Sequence, residues 1–222
     1  RLTTPEDAKP NDVAKTIAEV VRRFNYTGPV GVGFPAVIRG GTVYTAANIH
    51  ETWIGTKGEK LLSDATGCEV YMLNDADAAG IAEMKFGVGQ EFPKGVIMMI
   101  TIGTGLGTAI FVDGKLVPNT ELGHLVMWGG DAEHRAAAGA KTAEDLSWAK
   151  WAKRVDKYLD YVERLLWPDL IIAGGGVSRA HQKWLPLLHT RAESGRARFG
   201  TNAGIRGAAL GAARAGERAL TD

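Results

Sequence analysis

Residues 96–125 constrain this chain more than any other stretch. Residues 96–102 (V-I-M-M-I-T-I) form a strongly apolar run of strand length, bounded by a glycine turn. Gly103-Thr104-Gly105-Leu106-Gly107 reverses the chain, 108–112 runs back, and Asp113-Gly114 turns it again into 115–117. This is the pattern of a β-meander. Glu121-Leu122-Gly123-His124 follows shortly after, so turn, hairpin and a polar cluster lie close together in sequence.

Around the meander, strand and helix signals alternate. Asp12 is expected to cap an amphipathic helix over 13–24. A short buried strand is expected at 30–34, a hairpin at 37–44 around Gly40-Gly41, and a helix at 56–66 stopped by Gly67. A strand at 70–73 leads into a small-residue helix over 76–86. Trp148, Trp151, Val155, Leu159, Val162 and Leu166 recur at helical spacing and predict a long helix ended by Pro168. A strand at 170–173 runs into Gly174-Gly175-Gly176, Ser178 begins a further helix, and 202–219 forms a tightly packed terminal helix. The alternation argues for an α/β fold with mixed sheets.

The chain has 222 residues, 45% hydrophobic and 23% charged, a globular profile. No window reaches the roughly 18 apolar residues of a membrane helix, and the first residues do not resemble a secretory signal, so a cytoplasmic setting without membrane contact is expected. Cys68 is the only cysteine, which excludes an intramolecular disulfide and any multi-cysteine zinc site. Residues 1–140 hold 12 Lys+Arg against 16 Asp+Glu, and residues 141–222 hold 14 against 9. A basic later part suits a polyanionic ligand, or is simply a solvated basic surface. Aromatic and basic residues do not interleave as in nucleic-acid binders.

Four motifs carry the chemistry. Asn74-Asp75 stands where a strand gives way to a helix, the place where α/β sheets collect ligands. A carboxylate there can take a proton from a hydroxyl, or merely cap the helix, and Asp77 is its rival. The backbone amides of Gly103 and Gly105, with the Thr104 hydroxyl, suit a phosphate, although a bulged turn explains the same residues. Glu121 and His124 can hydrogen-bond sugar hydroxyls, while a metal site would want more ligands. Gly174, Gly175 and Gly176 let a flat ligand or a phosphate chain lie on the backbone, or serve a loop with unusual dihedrals. Phosphate cradle, polyol grip and carboxylate base together point to phosphoryl transfer to a sugar.

These pieces resemble the ROK family of sugar kinases, and within it the polyphosphate-using glucokinase branch. The matching blocks are L-N-D-A-D-A-A-G (73–80), residues 100–125, D-A-E (131–133), W-P-D-L-I-I-A-G-G-G-V-S (167–178) and N-A-G-I-R-G-A-A (202–209). The resemblance implies an actin/hexokinase-like two-lobe fold with mixed sheets and a central cleft. The small lobe would comprise 1–88 plus 204–222, and the large lobe 89–203. It implies Asp75 as catalytic base, with Asn74, Glu121, His124 and Glu133 on the sugar, and Gly33 and Asn48 in loops near it. Thr101, Gly103, Thr104 and Gly105 would form the second phosphate motif, and Gly174, Gly175 and Gly176 the adenosine-side motif. The expected acceptor is glucose, with mannose as an alternative. The expected donor is polyphosphate or ATP with Mg²⁺, and a homodimer is the expected assembly.

Two departures bear on these expectations. Residues 126–145 lack the Cys-rich zinc motif of most family members, so no zinc is expected. The family's opening strand and Asp-x-Gly-Gly-Thr-type phosphate loop are not matched before Arg1-Leu2-Thr3-Thr4-Pro5. The first strands of the small lobe are therefore expected to be absent and the fragment weak or inactive by itself. Family repressors that bind sugar carry a helix-turn-helix not matched here, and a non-catalytic sugar binder is the further alternative.

Overall fold

A computed structural model describes residues 2–219, with side chains through Ala213. In chain order the elements are α1 (Pro10–Arg23), β1 (Val30–Phe34), β2 (Ile38–Arg39), β3 (Thr42–Val43), α2 (Gly58–Thr66), β4 (Val70–Asn74) and α3 (Asp75–Phe86). Then come β5 (Val96–Ile102), β6 (Leu106–Val112), β7 (Lys115–Val117), β8 (Val126–Met127), β9 (Gly130–Asp131), α4 (Glu133–Ala136) and α5 (Ala138–Ala143). The last are α6 (Trp148–Leu166), β10 (Leu170–Gly174), β11 (Glu193–Arg196) and α7 (Ala203–Ala219). Residues 220–222 of the expected small lobe lie outside the described residues. No helix among the described residues is long and apolar enough to cross a membrane.

The described residues divide into two compact units, residues 2–78 with 204–219, and residues 79–203. The division falls inside α3. In the first unit, β1 and β4 pair in parallel, with Phe34 opposite Asn74 at their carboxyl ends. Their core gathers Ala14, Phe34, Ile38, Val43, Trp53, Leu62, Val70 and Met72. Trp53 packs with its ring centroid 4.5 Å from that of Phe34, tilted at 58°, and donates its indole N–H to the Ala8 carbonyl at 2.8 Å. The terminal helix α7 lies close to this layer, because a Cβ on Gly31 would overlap Ala208 and one on Gly207 would overlap the Ala78 carbonyl.

The second unit is built on a five-stranded mixed sheet of order β11-β10-β5-β6-β7. β11, β10 and β5 run parallel, and β5, β6 and β7 form the antiparallel meander. Alternate residues of β5 face opposite layers. Met98, Ile100 and Ile102 meet Trp151, Val155, Tyr158, Leu159 and Val162 of α6. Ile97 and Met99 lie with Ala79 and Ala82 of α3, Phe111 and Ala197. Cover on both faces explains why 96–102 is apolar without alternation.

Several local expectations are corrected. Asp12 is not the cap of α1. Lys9 holds that place, Pro10 opens the helix, and Asp12 sits in the first turn bonded to Lys15. The stop expected at Pro168 is in place, by contrast: α6 ends at Leu166, and Trp167 between them takes a left-handed conformation (φ 49°). Ser178 does not begin an α-helix. Residues 176–183 form 3₁₀ turns broken at Ala180, and the buried Ser178 hydroxyl donates to the Gly175 carbonyl at 2.8 Å.

Candidate active site

In the first unit, the carboxyl ends of β1 and β4 set the local chemistry. Asn74 closes β4, and its Oδ1 accepts from the Ala76 and Asp77 amides at 2.9 and 3.2 Å, capping α3. Its Nδ2 donates to the Ala36 carbonyl at 3.3 Å and ties down the loop after β1. With Asn74 as cap, Asp75 is left for other work. It is exposed, whereas Asp77 is buried at 2% relative exposure. Of the two rival carboxylates, Asp75 is the one open to solvent. Partial desolvation by the surrounding protein raises the Asp75 carboxyl above its ordinary 3.8, against an opposing pull from the amides of Ala76 and Asp75. Gly33 lies beside this turn, where a Cβ would stand 3.7 Å from the Asp75 Cα. Asn48 is in an exposed loop of the same unit.

The second unit brings together the other residues expected to act. Thr101 pairs with Gly174 across β5 and β10, so both glycine turns leave the sheet at the same level. Gly103 donates to the Gly105 carbonyl at 3.0 Å, and its own carbonyl accepts from Gly139 at the start of α5 at 3.1 Å. Glu133 fixes the same turn by accepting from the Leu106 amide at 3.0 Å. Gly175 has φ +77° and lies so close to Ile102 that a Cβ would overlap its backbone. At Gly103 and Gly176, by contrast, a Cβ would meet nothing within 4 Å, and neither has a left-handed backbone. Packing does not demand glycine there, which suits close approach by a ligand.

Glu121 and His124 flank a short 3₁₀ turn lashed to β6. The Thr108 hydroxyl donates to the Thr120 carbonyl at 2.6 Å and accepts from the Leu122 amide at 3.2 Å. Gly123 presses on the Leu106 carbonyl, where any Cβ would overlap it. This explains the glycine of the Glu-x-Gly-His motif. His124 Nε2 lies 3.6 Å from Glu121, and its Nδ1 bonds Asp131 Oδ2 at 2.8 Å. That hydrogen bond is the largest influence raising the imidazole pKa above 6.5. Burial opposes it, and the charges of Glu133, Glu121 and Asp131 add to it. The shift favours the imidazolium form, a donor suited to hydroxyl or phosphate oxygen.

Asp131 was not among the residues expected to act. Its only signal was its place in D-A-E, because the strands that deliver it are too short to show in sequence. β8 and β9 form a tight hairpin through Trp128 (φ 57°) and Gly129 (φ 82°), which carries Asp131 back beside His124. Asp131→Asn should lower the His124 pKa in an imidazole NMR titration. Because the partner raises the folded pKa, its contribution to stability is present below the unfolded value and fades as pH rises through the folded one. The variant should therefore lose more stability at pH 5.5 than at pH 8.5. An unchanged imidazole titration would deny Asp131 this role.

Among the described residues no cluster of three or more His, Cys, Asp or Glu side chains forms a metal cage. A Mg²⁺ ion that arrives with donor phosphates needs none, since phosphate oxygens and water supply most of its ligands.

The ROK family profile matches residues 1–134. The chain is 48% identical over 211 residues to polyphosphate glucokinase of Mycobacterium tuberculosis (strain ATCC 25618 / H37Rv), across 95% of this chain and 79% of that protein. The crystal structure of inorganic polyphosphate/ATP-glucomannokinase from Arthrobacter sp. strain KM aligns with a TM-score of 0.93 at 42% identity, covering 97% of this chain and 87% of that one. A ROK family glucokinase from Streptomyces griseus, in complex with glucose and AMPPNP, shares the fold with a TM-score of 0.78 at 23% identity, over 96% and 90% of the two chains. The expected α/β fold of the actin/hexokinase type is the fold observed, and the chain belongs to the ROK family.

Proposed function

We propose that this protein phosphorylates glucose at its 6-hydroxyl, with inorganic polyphosphate as donor and ATP as a second donor. The observation that carries this reading is the 48% identity to a polyphosphate glucokinase along 95% of the chain. The two open glycines, Gly103 and Gly176, beside a locked turn support the phosphoryl-transfer part of it.

Asp75 is the general base. As the glucose O6 attacks the terminal phosphorus, the new O6–P bond forms and the bridging P–O bond to the rest of the donor breaks. The O6 proton passes to the Asp75 carboxylate and then to water. A carboxylate, though a weak base, suffices, because the hydroxyl becomes acidic only as its bond to phosphorus forms. Glu121, His124 and Glu133 are the proposed partners of the sugar hydroxyls, with Asn74, Gly33 and Asn48 supporting the acceptor side. Thr101, Gly103, Thr104 and Gly105 hold the transferring end of the donor, and Gly174, Gly175 and Gly176 its continuation. Mg²⁺ bound to the donor would neutralise charge on the transferring phosphoryl group. Mannose as a second acceptor, a homodimer and a cytoplasmic setting belong to the same reading.

The deciding measurement is glucose 6-phosphate formation by the purified protein with Mg²⁺ and either long-chain polyphosphate or ATP. Product from polyphosphate, formed weakly, is the expected result. Product from ATP alone would make the protein an ATP glucokinase. Glucose binding without product from either donor would overturn the reading in favour of a sugar-binding protein.

A further inference from the structure

The glycine turns account for the reacting end of the donor and leave a second basic feature unassigned. Residues 170–206 contain six Lys or Arg and a single acid, Glu193. Two of the cations, Arg196 and Arg198, line a cavity of about 340 Å³ with Gly87, Val88, Glu91 and Ala197. Neither arginine side chain enters an ion pair or hydrogen bond among the described residues, and both are exposed. Arginines held at a cavity wall without a carboxylate partner leave two guanidinium forks available for an anion.

Their placement relates them to the donor site. Ala197, between the two arginines, donates its amide to the Ala173 carbonyl at 2.9 Å. Its Cβ also lies 3.4 Å from where a Cβ on Gly174 would stand. The arginine pair thus begins where the glycine run begins, at the carboxyl end of the edge strand β11. The sheet order puts β11 two strands from β5 and its Gly103 turn, a span of roughly 10 Å. The backbone is fixed there as well. Glu83, fully buried on α3, accepts from the Arg198 and Phe199 amides at 3.0 and 2.8 Å.

From this arrangement we infer that Arg196 and Arg198 form a subsite for the distal phosphates of an inorganic polyphosphate chain whose reacting end lies at the Gly103 turn. The inference rests on the proposed phosphoryl transfer and adds to it a reason for preferring a long donor. Distal phosphates of a long chain would reach β11, whereas the three phosphates of ATP end near the glycine turns. Glu91 on the same wall opposes the anion and moderates its grip, so that a chain can advance after each transfer.

The test compares the unmodified protein with R196Q/R198Q and with E91Q. Two readouts are used: Kd for end-labelled long-chain polyphosphate by fluorescence anisotropy across a salt series, and KM for polyphosphate and for ATP. In R196Q/R198Q the Kd and KM for long-chain polyphosphate should rise between about tenfold and a hundredfold, with ATP KM moving less than twofold. The slope of log Kd against log salt should become shallower by roughly 1.5–2, one cation at a time. E91Q should tighten polyphosphate binding. Equal losses for both donors, or unchanged Kd and slope, would overturn the subsite. If the unmodified protein makes no glucose 6-phosphate from polyphosphate, the functional reading fails, while the anisotropy series still decides whether these arginines hold the chain.

Discussion

Asp75→Asn should reduce turnover by about 10²–10⁴-fold, near 3–5 kcal/mol of barrier, while changing glucose affinity only severalfold. The amide keeps the shape of the carboxylate and its place at the start of α3, but it cannot accept a proton. The pH profile gives an independent reading. Protonation of Asp75 removes the base, so kcat/KM of the natural protein should fall on the acid side through an apparent pKa above 3.8. The variant should lack that limb. Stability should move the other way. A carboxyl with a raised folded pKa weakens the fold once pH exceeds its unfolded value, and the uncharged amide removes that penalty. The side chain keeps solvent contact, so the gain is small, an increase in Tm of about 1–3 °C at pH 7. A variant with full turnover would remove Asp75 as base. The buried position of Asp77 would then require a conformation different from the one described.

The paired variants Gly175→Ala and Gly176→Ala should separate fold from function at adjacent positions. Alanine at 175 meets both a left-handed φ of +77° and the backbone of Ile102 in β5. Relief would require moving a central strand of the sheet, and a loss of about 3–5 kcal/mol is expected, enough to lower Tm by roughly 6–20 °C. Alanine at 176 meets nothing within 4 Å, so Tm should change by no more than about 2 °C. Its methyl group would nevertheless stand where the proposed donor chain approaches, and KM for both donors should rise severalfold. If Gly176→Ala melts and turns over like the natural protein, the donor does not lie against that backbone.

Much of this architecture was legible because a repeated pattern or an unusual residue carried it. The spacing along α6 and the apolar run of β5 each required a particular layer. Gly67 stops α2 in a left-handed conformation, as its chemistry suggests. The Glu-x-Gly-His motif exposed Glu121 and His124, but not what orients the imidazole. Asp131 arrives through a four-residue excursion with two positive φ angles, and two-residue strands leave no periodicity to read. In sequence, Asp75 itself could be read as the cap of α3. Only the geometry gives it to Asn74, freeing Asp75. β11 left no trace in sequence, since Glu-Ser-Gly-Arg has neither alternation nor β-branched residues.

β11 is fastened from outside itself. Glu163 of α6 receives the Arg191 and Ala192 amides at 3.2 and 2.7 Å just before the strand, and Glu83 of α3 receives the Arg198 and Phe199 amides just after it. A segment gripped at both ends by carboxylates on the helices of opposite layers does not depend on its own side chains to stay in register. The exposed positions between the two grips, Glu193 and Arg196, are thus unusually free to drift, while Ala197 stays in the core. This rim of the sheet can exchange charge, size and polarity with little consequence for the core, and donor preference could change along a lineage here while the fold beneath stays the same.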